Sequence, residues 1–167
     1  MKEFLKRKNI VISAKRYGID ALGAMAQGLF CSLLIGTIVK TLGQQMNLPF
    51  LVQVGTYCSA MSGPAMACAI GYALQAPPLV LFSLATVGYA ANDLGGAGGP
   101  LAVLFMAIFA AECGKAVSKE TKVDILVTPC VTILVGVGLA MLIAAPIGKA
   151  AQTERKRRRR LEAKVIL

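Results

Sequence analysis

The stretch Asn92-Asp93-Leu94-Gly95-Gly96-Ala97-Gly98-Gly99-Pro100 joins two apolar segments, and from Thr41 to Ala111 its Asp93 is the only formally charged side chain. Four glycines and a proline follow Asp93, so a continuous unstrained helix is not expected through it. Two readings stay open. In one, Asn92 and Asp93 line a polar substrate site at a break between two half-helices, because polar groups and irregular backbone at membrane depth need a cavity or protein around them. In the other, the stretch is a solvated turn joining two spans, for which Gly, Pro, Asn and Asp are ordinary chemistry.

Working outward, the composition decides the class. Hydrophobic residues make up 56% of the 167 positions and charged residues only 16%, against about 45–50% and about 25% in soluble domains. The charges are clustered, which leaves long uncharged runs. The fold class expected is all-α: a polytopic helical membrane protein with about five apolar segments, including a broken or re-entrant helix pair. The short alternating strands of an outer-membrane barrel are not seen.

Three regions follow. Residues 1–16 form a basic, partly apolar interfacial segment. Residues 17–149 form the transmembrane helical domain. Residues 150–167 form a basic tail expected to be disordered or to lie on a lipid surface. Six of the eighteen Lys/Arg precede Tyr17 and eight lie at or after Lys149. That flanking placement suits anionic lipid head groups and topology control, and no nucleic-acid partner is expected from the net charge of +10.

Apolar segments are expected at about Asp20–Val39, Pro49–Leu74, Leu79–Ala91, Pro100–Gly114 and Ile125–Ile147. Small residues recur every four positions in three of them: Ala24, Gly28, Ser32 and Gly36; then Gly55, Ser59, Gly63, Ala67 and Gly71; then Gly136, Ala140, Ala144 and Gly148. Such stripes let helix backbones approach closely, which suggests a compact bundle. Ser62-Gly63-Pro64 should kink or break the second segment, and Pro129 should kink the last. Glu112 and Lys115, at i,i+3 on a helix end, are placed to pair. Thr121-Lys122-Val123-Asp124 fits a capping box opening the next helix. Lys115, Lys119 and Lys122 favour a cytoplasmic loop, and the basic N-terminus favours the inside. Five full crossings would then put the Arg-rich tail outside. Either one segment is re-entrant or topology selection did not shape the tail.

The chain holds no histidine, no Walker-type phosphate loop and no zinc-spaced ligand set, so no catalytic residue, metal site or cofactor is expected. Its five cysteines are scattered and read as packing residues.

Several stretches carry a family resemblance: Arg16-Tyr17-Gly18-Ile19-Asp20-Ala21-Leu22, Tyr72-Ala73-Leu74-Gln75-Ala76-Pro77-Pro78 and Gly114-Lys115-Ala116-Val117-Ser118-Lys119-Glu120-Thr121-Lys122-Val123-Asp124-Ile125. Shorter matches are Gly28-Leu29-Phe30, Leu34-Ile35-Gly36-Thr37-Ile38, Gly63-Pro64-Ala65 and Val127-Thr128-Pro129. Together they span residues 16 to about 149. The chain resembles the amino-terminal half of a family of bacterial membrane proteins, subunit IIC of sugar transporters of the phosphoenolpyruvate-dependent phosphotransferase system. That family includes proteins named as regulators of the toxin perfringolysin O. Its members are about twice this length, so the chain is expected to be a natural short form or a truncated one. It would then need a homo-oligomer or a separate second half.

The resemblance implies a multi-pass permease of the bacterial plasma membrane that binds a sugar while cytoplasmic IIA and IIB proteins supply the phosphoryl group. An enzyme label would come only from that system. A sugar needs hydrogen-bonding groups to replace its hydration shell. The candidates are Asn92, Asp93, Glu112 and Gln53, with Gln75 behind them. The alternative is a membrane-embedded regulatory or scaffold protein without transport activity.

Overall fold

The computed structural model describes residues 1–166, and the side chains of all of these except 144, 145, 165 and 166. Among the described residues there is helix and no strand. A short helix α1 (Lys2–Arg7) and an extended strap lead into α2, a continuous helix over Arg16–Gln45 that contains π-helical turns at Arg16–Asp20 and Phe30–Leu34. Helices α3 (Pro49–Ala60) and α4 (Ser62–Ala73) follow, separated only at Met61. Then come α5 (Pro78–Gly95), a 3-10 turn over Gly96–Gly98, and α6 (Gly99–Val117). The last helix, α7, begins at Asp124 and includes a π turn at Ala140–Ala144 and the stretch Ala145–Ile166. Three stretches are long and apolar enough to cross a membrane: Arg16–Gln45, Pro78–Val117 and Asp124–Lys164. The five segments expected from the sequence are thus not all matched by single long helices.

Prolines open several helices. Pro49, Pro78 and Pro100 stand in the first turns of α3, α5 and α6, where a missing N–H costs nothing. The expected break at Ser62-Gly63-Pro64 is present one residue earlier, at Met61, with Pro64 in the first turn of α4. Pro129 is accommodated inside α7. The expected capping box is not formed, since the residue before the helix is Val123 and no side chain caps it. Asp124 instead accepts the Lys119 N–H at 2.8 Å and the Thr128 hydroxyl. The acid at the helix start therefore ties down the preceding loop rather than closing a reciprocal cap.

The three small-residue stripes are packing seams. Along α2, Gly43 lies on Leu51 and Val52, Gly36 on Gly55 and Ser59, and Gly28 on Ala65 and Met66. Helix α2 therefore runs antiparallel along α3 and α4 in turn. A Cβ at Gly28 would sit 2.7 Å from the Ala65 carbonyl oxygen, a separation that only glycine permits. Gly63 and Gly88 lock α4 to α5: a Cβ on either would come within about 2.5 Å of the other's carbonyl oxygen. Helix α7 lies on the α5–α6 pair through Gly136 against Val87 and Gly148 against Gly95.

The core reflects this. It is rich in alanine (Ala67, Ala91, Ala102, Ala107, Ala110, Ala111) beside Met66, Ile70 and Leu84, while Phe50, Phe82, Leu134 and Leu142 are more than 70% exposed. Large apolar groups facing outward around glycine and alanine seams are the distribution of a helical bundle solvated by lipid, where close backbone packing replaces the hydrophobic effect as the force between helices. The protein is an integral membrane protein.

The glycine stretch is a hairpin turn. Gly99 packs on Asn92, and Gly114 packs on Val80, so α5 and α6 run antiparallel for their whole lengths. Their 18 and 19 residues correspond to about 27 Å and 28 Å at about 1.5 Å per residue. The sequence expectation of two short segments is corrected: Asn92 to Gly95 continue α5, and Lys115 to Val117 continue α6. Gly96 takes φ +51°, a left-handed conformation that a residue with a Cβ adopts reluctantly. The other glycines make room for α7, since Gly95 meets Gly148 and Gly98 meets Ile147 and Ala151. The tail, expected to be disordered or to lie on a lipid surface, continues α7 as helix to Ile166. It departs past the α5–α6 turn, at the end of the molecule opposite the residues around Lys115.

Candidate substrate site

Three helices end together at that Lys115 end. The residues just beyond α1, α4 and α6 are Asn9, Gln75 and Lys119, and all three take positive φ, at 54°, 55° and 63°. This left-handed residue closes each helix by turning the chain back on its last carbonyls. Helix C-termini present unpaired carbonyls and partial negative charge, and here cations meet them. Lys115 is 1% exposed and donates to the carbonyls of Leu74 at 3.0 Å and Asn9 at 3.2 Å. Arg16 donates to the same Leu74 carbonyl at 2.7 Å. Lys8 donates to the carbonyl of Ser118 and lies 2.6 Å from the Glu120 carboxylate, which Arg7 also holds at 2.9 Å. Lys8 and Arg7 keep the Glu120 carboxyl below the usual range, the hydrogen bond from Lys8 being the largest influence.

A polar cavity of about 460 Å³ remains between these groups, bordered by Lys8, Asn9, Gln75, Lys115 and Ser118. Its cations are largely committed to helix ends and to Glu120. The cavity is the joint at which the N-terminal strap is clamped to the α4–α5 turn and the α6–α7 loop.

Glu112 lies one turn before Lys115, and the expected pair is formed at 2.9 Å. Both Glu112 oxygens are shielded from solvent, yet neither accepts a well-directed hydrogen bond. A buried carboxylate in that condition is a group with unused acceptor capacity. It stands at one end of a second cavity, of about 660 Å³, between the strap, the first turns of α2 and the outer face of α6. Apart from Glu112 and the Tyr17 phenol beside it, the lining is apolar, with Leu22, Leu104, Phe105, Ile108 and Phe109 prominent.

The other sequence candidates lie elsewhere. Asn92 is half-buried and its amide reaches Ser62 Oγ at 3.5 Å. Asp93 is exposed beside the α5–α6 turn. Gln53, on α3, donates to the Tyr57 hydroxyl at 2.8 Å on an exposed face. Gln75 contacts the Asn9 amide at the clamp. Asn92 and Asp93 are therefore at the opposite end of the α5–α6 hairpin from Glu112, and Gln53 is on a separate helix pair. The structure does not bring the four into one site.

Sequence reasoning missed Tyr17 as a neighbour of Glu112, and Phe105 and Phe109 as lining the same cavity. Only the position of Tyr17, one residue past the basic segment, hinted at a polar group at the membrane boundary. It also read Lys115 as a loop cation, although the apolar run leading into it, Leu101 to Ala111, signals burial.

Comparison with known proteins places these residues in context. Residues 19–153 match the family model described as Phosphotransferase system, EIIC. No curated protein and no solved structure matches.

Proposed function

Because this chain belongs to the EIIC family of the phosphotransferase system, over 135 of its 167 residues, we propose that it is the membrane permease component of a sugar phosphotransferase system in the bacterial plasma membrane. It binds a sugar within the bundle and carries it across, while soluble IIA and IIB proteins deliver the phosphoryl group from the cytoplasmic side. The family match is the observation that carries this reading. Glu112 supports it: a carboxylate shielded from water, paired with Lys115 and with acceptor capacity left over, is a group that could accept from sugar hydroxyls, which must lose their hydration shell on binding. Asn92 and Asp93, with Gln53 on α3, are secondary candidates away from Glu112.

In this reading the chain crosses the bilayer five times, by α2, by α3 with α4, by α5, by α6 and by α7. The α3–α4 pair counts as one crossing because it follows α2 antiparallel from Gly43 to Gly28. The Lys8, Lys115 and Lys119 end is cytoplasmic by its positive charge, and it is the end a phosphoryl-donating partner would approach. Further copies or a second half complete the transport unit by covering apolar faces such as those of Phe50 and Leu134.

The test is binding of a panel of radiolabelled hexoses and disaccharides to the chain in lipid nanodiscs. A saturable sugar, weakened at least tenfold by Glu112→Gln, is the expected result. The rival reading, a regulatory or scaffold protein, draws on the scatter of the polar candidates over three places. It requires that no sugar binds at all while Gly28→Leu and Gly136→Leu disrupt assembly.

A further inference from the structure

The polar cavity at the clamp holds more positive charge than the clamp uses. Arg7, Lys8, Lys115 and Lys119 border it, and Glu120 is the one acid that does. Glu112 stands behind, paired with Lys115. Four cations against two carboxylates leave two positive charges. The ends of α4 and α6 contribute about −0.5 each, and Arg16 on the Leu74 carbonyl offsets them. Donors are left over as well. Lys119 enters no ion pair among the described residues. Arg7 gives one nitrogen to Glu120, and the rest of its guanidinium has no hydrogen-bond partner among the described residues. Ser118 is 3% exposed. Its carbonyl takes Lys8, but its hydroxyl has no partner among the described residues, although buried hydroxyls are normally bonded. Ser118 borders the same cavity.

We propose that this cavity is a binding site for a phosphate monoester. Such a group carries about −1.5 to −2 at pH 7 and three strong acceptor oxygens, which matches the two spare charges and the spare donors. Its oxygens accept from the Ser118 hydroxyl, the Lys119 ammonium and the Arg7 guanidinium. Lys8 and Lys115, with side chains 8% and 1% exposed, supply charge from behind. The volume of about 460 Å³ lies inside the range of small-molecule sites, about 300–1,000 Å³, so a whole small ester is admitted. A carboxylate would leave one charge unmet, and a neutral solute would leave both. Arg7 and Lys8 belong to the N-terminal strap, whereas Ser118 and Lys119 follow α6 directly. The bound ester therefore bridges the two, and a ligand that binds only the clamped strap stabilises it by mass action. The site stands whether or not a sugar is carried elsewhere in the bundle.

The experiment measures equilibrium binding of radiolabelled glycerol 3-phosphate to the full chain in phosphatidylcholine nanodiscs, with glycerol as the uncharged control. The rate of protease cleavage within residues 1–15 is followed alongside. Saturable binding of the ester is expected, with cleavage slowed over the same concentration range, and glycerol should do neither. Ser118→Ala and Lys119→Gln should each weaken binding about tenfold, as loss of a hydrogen bond to a charged group does. Lys122→Gln, on the same loop but not bordering the cavity, should leave it unchanged. Glu120→Gln frees Arg7 and Lys8 and loosens the strap, and the ester should restore slow cleavage to that variant. No binding, binding that leaves cleavage as fast, or unchanged binding in Ser118→Ala or Lys119→Gln overturns the site. Equal weakening by Lys122→Gln and Lys119→Gln overturns it in favour of a diffuse basic surface. Replacing part of the phosphatidylcholine with phosphatidic acid separates two sources of the same chemistry. If that lipid slows cleavage and excludes the soluble ester, the site takes a lipid headgroup; if the ester binds equally well, the site takes a soluble ester.

Discussion

Lys115 shows how one side chain can hold three chain ends. Its ammonium is out of water and has three partners: the Glu112 carboxylate, the Leu74 carbonyl and the Asn9 carbonyl. Removing one member of a buried pair strands the other, which costs about 3–5 kcal/mol. Lys115→Met should therefore destabilise the protein by about that amount in reversible unfolding from mixed micelles. The double variant Lys115→Met/Glu112→Leu should recover part of the loss, because a packed apolar pair carries no stranded charge. If the double variant is as unstable as the single one, the stability comes from the two carbonyl contacts and not from the ion pair. This residue was only half legible in the sequence. Its i,i+3 spacing from Glu112 disclosed the pair, but the partners at Leu74 and Asn9 come from elements 41 and 106 positions away. No local pattern encodes the convergence of three helix ends.

At the scale of elements, the stripes were legible and their partners were not. A four-residue recurrence of small side chains says that a helix face will be approached closely; which backbone arrives is settled only in three dimensions. The glycine stretch illustrates the point. Its composition left a polar site and a solvated turn between two spans both open; it is a turn, and its glycines answer to the close passage of α7. The Gly148–Gly95 contact gives the test. A Cβ at Gly148 would lie 2.5 Å from the Gly95 carbonyl oxygen, so Gly148→Val should cost about 1–3 kcal/mol, as overpacking does. Gly138→Ala, facing open space, should cost nothing measurable in the same assay. The N-terminal strap offers a second element-level prediction. Glu120 has its carboxyl held low by Lys8 and Arg7, so its pKa is lower in the folded state than in the unfolded one. The clamp's contribution is full above the unfolded value of about 4.3 and is lost as pH falls through the lower folded value. Protease cleavage within residues 1–15 should stay slow from pH 7 to about 5, and accelerate only below the range where Glu120 protonates. Glu120→Gln should show the fast cleavage already at neutral pH.

For the whole molecule, the two basic regions pose the question that charge counting left open. The clamp end carries Arg7, Lys8 and Lys119, and α7 carries the run Arg155 to Arg160 past the α5–α6 turn. Thr132 packs on Gly114 near the clamp and Gly148 packs on Gly95 at the turn, so α7 runs the length of the bundle between them. The two basic regions are therefore at opposite ends of a body whose hairpin helices are about as long as the hydrocarbon core is thick, about 30 Å. A single bilayer placed across that body puts them on opposite sides, and the positive-inside rule then acts on one and yields on the other. In a variant with all five cysteines replaced, single cysteines at Ser118 and Thr153 should be labelled by an impermeant maleimide from opposite faces of the membrane. A cysteine at Asp93 should react from the Thr153 side. Labelling of Ser118 and Thr153 from the same side would mean that α7, the one helix that joins them, does not cross, and would overturn the placement of a single bilayer across the packed body.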